Sequence, residues 1–263
     1  MPDKALPLLR EDDKSLYFEA TLHKARVLRN FISFGESNRL LDELMTKLDN
    51  PATELAYAVI IEKLYNLCWD SRPKEAYALA RQMIEASAQA GNLKVMGWFE
   101  RYLTTIHFFR GNMKDAIYYY EKSLGLPQDE LTYLGMHSTG IYAAKAYQML
   151  GDRERALSVL LEELHRLRTT GNYEEMWAGY LLAAEIHYQN AFIDKMNGLN
   201  VSFDTAVKYF TMADEYAPLY RKLIFRCTGR KCSASPTASF SLMHPRKISC
   251  GKSLKILIKG GLI

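Results

Sequence analysis

Ala76, Ala116 and Ala156 fall at intervals of 40 residues, and each closes the same short pattern: Ser71-Arg-Pro-Lys-Glu-Ala76, Gly111-Asn-Met-Lys-Asp-Ala116 and Gly151-Asp-Arg-Glu-Arg-Ala156. A fourth copy, Phe203-Asp-Thr-Ala206, follows after 50 residues, and a degenerate one, Ser37-Asn-Arg-Leu40, precedes the first by 36. No other feature constrains the fold as tightly. Self-similarity at a fixed period of this size marks units that cannot bury their apolar faces alone and must stack on their neighbours.

Each copy reads as a turn followed by a helix. A glycine or small polar residue ends one helix, and a capping Asn, Asp or Ser opens the next. The alanine five positions after that glycine lets two helices approach closely, and aromatic or aliphatic residues at helical spacing fill the groove between neighbours. In the last copy Ala206, Phe210, Ala213 and Pro218 follow one another along the helix, and the proline is expected to stop it. Ten helices in five hairpins are predicted: 14–33 with 37–48, 53–69 with 73–90, 93–110 with 113–124, 129–150 with 153–169, and 173–191 with 203–217. An insertion occupies 192–202.

This pattern resembles the tetratricopeptide repeat, whose second helix carries Ala, an aromatic, Ala and a terminal Pro at the offsets of the last copy. Ala116, Tyr120 and Ser123 are similar. The first helices match through Leu103-Thr104 with His107, Ala143-Ala144 with Tyr147 and Leu182-Ala183 with Ile186, but Glu100, Gly140 and Gly179 stand where the family has a tryptophan. The resemblance covers residues 14–218 and implies an all-α chain, a right-handed superhelical solenoid of about five antiparallel helix hairpins. Its long period, and the run GDRERALSVLLEELHRLRTT at 151–170, are similar to the helical-repeat sensor domain of large bacterial maltose-regulator-type transcription activators. The peptide-sensing repeats of Gram-positive quorum regulators are a further likeness. These likenesses imply a non-catalytic module that receives an inducer or a partner protein.

Charge divides the chain. All 30 acidic residues lie at or before Glu215, whereas ten Lys/Arg follow it, so the first 215 residues carry −6 and the last 48 carry +10. Cys227, Cys232 and Cys250 also fall in that tail, while Cys68 is alone in the body. Residues 219–263 therefore read as a separate basic segment: the product of an out-of-frame or truncated gene end, a natural disordered tail, or a small functional module. The first 14 residues have no apolar core of a secretory signal, and no apolar run reaches membrane-spanning length, so a cytoplasmic protein with no membrane partner is expected.

A stack of helix pairs presents its first helices on the concave face, the usual binding surface. Helical spacing puts Tyr65, Trp98, Arg101, Thr105, Phe108, Lys145, Gln148, Trp177, Tyr180 and His187 there. Two tryptophans beside Arg101, Lys145, Gln148 and His187 would suit a small inducer such as an oligosaccharide, or a peptide or protein. The alternative is that both tryptophans pack as core. A free-standing adaptor that docks a protein helix in the same groove, self-association through the solenoid, and nucleic-acid binding by the basic tail are the competing functions. The last is poorly served, because Phe240 is the one aromatic after Phe225 available to stack on bases.

Catalysis is not expected. The six histidines stand at no ligand spacing, and Glu162-Glu163 and Glu174-Glu175 read as solvated pairs on polar helix faces. Gly251-Lys252-Ser253 lacks the leading glycine of a phosphate loop, which would be residue 246 and is Arg. No cofactor is implied. Cys227, Cys232, His244 and Cys250 carry zinc-type donors, but at a spacing that matches no established zinc module.

Overall fold

The computed structural model describes residues 14–30, 33–48, 53–125, 139–170 and 173–228, with side chains placed between residues 17 and 217. Every regular element among them is a helix: α1 (Lys14–Asn30), α2 (Phe34–Lys47), α3 (Glu54–Trp69), α4 (Pro73–Gln89), α5 (Leu93–Phe109), α6 (Met113–Leu124), α7 (Thr139–Met149), α8 (Arg153–Thr170), α9 (Tyr173–Met196) and α10 (Asp204–Thr228). None is long and apolar enough to cross a membrane. Residues 129–138 of the expected seventh helix, and the tail beyond 228 with Cys232, His244 and Cys250, lie outside the described residues. So does the side chain of Cys227.

The turns explain why the helices break where they do. Residues 71, 91, 111 and 151 adopt φ of +60° to +86°, which reverses the chain within two or three residues. The following N–H then reaches back to close the end of the helix: Asn92 to the Ser87 carbonyl at 2.8 Å, Asn112 to His107 at 2.9 Å, Asp152 to Tyr147 at 3.0 Å. The same residues open the next helix, Asn92 accepting from the Val95 N–H at 3.1 Å and Asp152 from Arg155 at 3.2 Å. Three of the four positions are glycine; Ser71 is the exception and pays the steric strain of a left-handed backbone. Ser71→Gly is therefore expected to raise stability by about 1 kcal/mol, read as a higher urea midpoint; an unchanged midpoint would mean the strain is relieved elsewhere.

Each helix packs on the next, and the odd-numbered helices also touch one another, α1 on α3, α3 on α5, α5 on α7 and α7 on α9. The odd helices thus form one continuous layer, against which the even ones pack. The repeat alanines Ala76, Ala116, Ala156 and Ala206 are fully buried at the crossings of the two sets. Gly179 serves the same close approach from the other side: a Cβ there would stand 2.8 Å from Leu164 Cδ2 of α8. One apolar cluster gathers α1 to α5 with Tyr142, and a second gathers α7 to α10. Finally α10 touches α1, so the row of helices curls until its two ends meet.

Several boundaries depart from the sequence expectation; α2, for one, begins at Phe34 rather than at 37. α9 runs five residues past Ala191 to Met196, into the expected insertion, and α10 continues through Pro218 to Thr228. A proline inside a helix removes one i→i−4 bond and crowds the preceding turn, but it bends a helix as readily as it ends one.

Candidate functional site

α3 is apolar almost all round (ELAYAVIIEKLYNLCW), and in that setting one carboxylate, Glu62, is only 2% exposed. A buried charge must be paired. α1 supplies the partners: Arg26 Nε donates to Glu62 Oε1 at 2.5 Å, and Arg29 Nη1 donates to Oε2. Arg29 also lies over the Tyr65 ring, 4.6 Å from its centroid. Burial opposes its charge, but the carboxylates of Glu62 and Glu174 outweigh that cost and raise its pKa. Arg29 is thereby held as a cation in the interior.

From Tyr65 the network crosses the layer. Its hydroxyl shares a 2.8 Å hydrogen bond with the Tyr142 hydroxyl of α7, reaching past α5. Burial pushes both phenols up, so both stay protonated at neutral pH. Tyr102 of α5 sits among Tyr65, Cys68, Glu62 and Arg29, and its pKa too is raised by burial. Its hydroxyl finds no hydrogen-bond partner among the described residues, nor do those of Thr104 and Thr105 on the same helix, and all three residues are fully buried. Lys145 of α7 lies 5.3 Å from the centroid of Tyr142. Burial lowers its pKa, opposed by the carboxylates of Glu175 and Glu185 on α9. Phe108 closes on Tyr142 at 5.4 Å, and Gln148 Nε2 donates to Gln189 Oε1 at 3.1 Å, tying the end of α7 to α9.

The ten residues singled out by helical spacing do not stay together. Tyr65, Phe108 and Lys145 meet at Tyr142 in this network, Gln148 bonds Gln189 beside it, and Thr105 is buried on α5 with no hydrogen-bond partner among the described residues. Trp98 fills the seam between α3 and α5, edge-on to Tyr57 at 6.2 Å and 4% exposed. Arg101 turns toward the even helices, donating to the Ser123 carbonyl at 3.4 Å, and burial together with Arg166 pushes its pKa down to about 10. Trp177 is buried in the second apolar cluster. Tyr180 accepts from Arg168 Nη2 at 2.7 Å and stacks on Tyr216 of α10, while His187 lies flat on Tyr209 at 5.1 Å.

Sequence reasoning passed over Arg26, Arg29, Glu62, Tyr102 and Tyr142. It also placed Glu174-Glu175 on a solvated face, whereas Glu175 is buried and Glu174 half-buried. The one signal available was Glu62, an acid alone in an apolar run. Among the described residues no group of three or more His, Cys, Asp or Glu is arranged to hold a metal ion.

Three histidines carry a pH dependence. Burial lowers the pKa of His23, His107 and His187 below 6.5. The unfolded chain therefore takes up protons before the folded one does, so stability falls as pH drops through about 6.5 and stops falling once pH is below the depressed folded values. Melting temperature measured from pH 8 to pH 5 is expected to decline over that window, and to decline less in His107→Gln; a flat profile would contradict the burial of these rings.

No protein-family model matches the chain, and comparison with curated proteins and with solved structures gives no match either.

Proposed function

We propose that the chain is a non-catalytic binding module: a right-handed superhelix of five antiparallel helix hairpins of the tetratricopeptide type. Its odd-helix layer receives a polar ligand, and it serves as the sensor portion of a bacterial transcription regulator. The observation that supports the binding role is the set of buried hydroxyls on α5, those of Tyr102, Thr104 and Thr105, that have no hydrogen-bond partner among the described residues. An unmade hydrogen bond in the interior costs about 1–3 kcal/mol. Such groups persist where something other than folding uses them, and here Tyr102 lies among Tyr65, Cys68, Glu62 and Arg29. The 40-residue register and the two sets of helices support the repeat architecture. The sensor role rests on the likeness of residues 151–170 to maltose-regulator-type activators.

The test is a thermal-shift screen of the full chain with maltooligosaccharides and short peptides. Hits are expected to raise the melting temperature of the wild type and to lose most of that shift in Thr105→Val. That substitution keeps the shape and removes the hydroxyl. A Thr105→Val protein that responds to every hit as the wild type does would contradict the reading.

One observation favours a second reading, an adaptor that docks another protein. The overhanging end of α9 and the start of α10 expose Phe192, Ile193, Met196, Leu199 and Val207 within a short stretch, and concentrated apolar surface is a feature of docking sites. On that reading, Met196→Glu abolishes partner capture and leaves small-molecule shifts untouched.

A further inference from the structure

Odd helices that are not neighbours in the layer are joined by contacts that the repeat pattern does not require. A repeat needs each helix to pack on its neighbours. Here Tyr65 of α3 bonds to Tyr142 of α7, 77 residues away and one odd helix removed. Arg29 of α1 is acted on by Glu174 from the first turn of α9, and Lys145 of α7 by Glu175 beside it. The acids stand at a helix N-terminus, where negative charge is favoured and the carboxylates are held ready.

These contacts are weak beside the packing they bridge. A neutral hydroxyl pair contributes about 0.5–1.5 kcal/mol net, and buried charge pairs return in attraction little more than they lose in desolvation. The helix-to-helix seams, by contrast, bury a continuous apolar surface including Phe99, Leu103, Ile106, Leu160 and Ile186. The seam across the middle of the layer is thus the one that can part while the helix pairs stay folded.

We infer that the Tyr65–Tyr142 bond, flanked by Arg29 with Glu174 and Lys145 with Glu175, is a releasable clasp that holds the odd-helix layer shut over Tyr102, so that ligand enters only when the clasp opens. The entry step rests on the binding role proposed above; the clasp itself does not.

Cys68 provides the readout. It lies on α3 beside Tyr102, is 2% exposed, and is a free thiol. In the full chain, N-ethylmaleimide labelling of Cys68 is followed by peptide mass, with the tail cysteines as internal reference. Tyr142→Phe, and separately the double variant Glu174→Gln with Glu175→Gln, are expected to label Cys68 up to about tenfold faster, the population change that loss of one such bond permits. Ser158→Leu, an exposed change on α8, should leave the rate alone. Hydrogen exchange should quicken in α1, α7 and the start of α9 while α4 and α6 keep wild-type protection. Unchanged Cys68 labelling in both clasp variants overturns the clasp, as does exchange that quickens equally in every helix. Where an oligosaccharide or peptide binds, its affinity should rise in Tyr142→Phe by the same factor as the labelling rate. Equal affinity despite faster labelling overturns the gating. If no such compound binds either protein, the binding role fails while the labelling result still decides the clasp.

Discussion

Replacing Glu62 by alanine is expected to lower the stability of the folded chain by about 3–5 kcal/mol, the usual cost of stranding a buried charge. Glu62 is 2% exposed and accepts from both Arg26 and Arg29, and Arg29 is itself buried. Removal of the carboxylate takes from the buried Arg29 guanidinium the larger of the two acidic influences that hold its charge, those of Glu62 and Glu174. The loss is large against the marginal stability of ordinary domains. Urea unfolding of the full chain gives the number directly. The companion variant separates the pair from the space it fills: Glu62→Leu with Arg29→Met should recover most of the loss, because an apolar pair of similar volume replaces buried ions at little net cost. A single variant that loses less than about 1 kcal/mol would mean that Arg29 reaches water, and the interior described here would be wrong.

Ala156→Leu is the second large effect. Ala156 is fully buried in α8, and leucine is almost as good a helix former as alanine, so any loss must come from packing. Forcing three extra carbons into a closed crossing costs about 1–3 kcal/mol. Ala116→Leu in α6 should behave alike, since the two positions are one repeat apart and equally buried. Two positions after Ala156, Ser158 is exposed, and leucine there should be nearly neutral. If the buried and exposed substitutions proved equal, the alanine register would not mark a close approach of helices.

What the sequence disclosed follows from the range of the forces involved. Turns and crossings are local: Gly111 and Gly151 need only their own φ, and Ala116 and Ala156 need only the next helix, so a 40-residue period exposes them. Helix ends were legible where such a turn stood beside them and less so elsewhere. α9 continues to Met196 and α10 past Pro218 because no left-handed residue intervenes before Gly198 in the first case, and a lone proline is a weak stop in the second. Tyr118, Tyr119 and Tyr120 sort as helical spacing requires, with Tyr120 in the core, Tyr118 exposed and Tyr119 half-buried against His107.

The interior network was largely hidden, and for a physical reason. Whether Glu175 is solvated or buried depends on how far five odd helices curl, a sum of small interhelical angles that no local pattern records. The same uncertainty in rotation sent Arg101 toward Ser123 and Tyr180 toward Tyr216 rather than into the layer with Tyr65 and Lys145. Arg29 and Glu62 lie 33 residues apart and could be paired from sequence only by asking what a lone acid in an apolar helix must find.

The binding role meets its most direct test in calorimetric titration of wild type and Tyr102→Phe against the same oligosaccharides and peptides. Tyr102→Phe removes one buried oxygen that has no hydrogen-bond partner among the described residues, so folding should be unharmed or improved by about 1 kcal/mol. The predicted result is a variant at least as stable as the wild type that binds about tenfold more weakly, the loss of one good hydrogen bond. Equal affinity in the two proteins would contradict the assignment of the odd-helix interior as the binding surface.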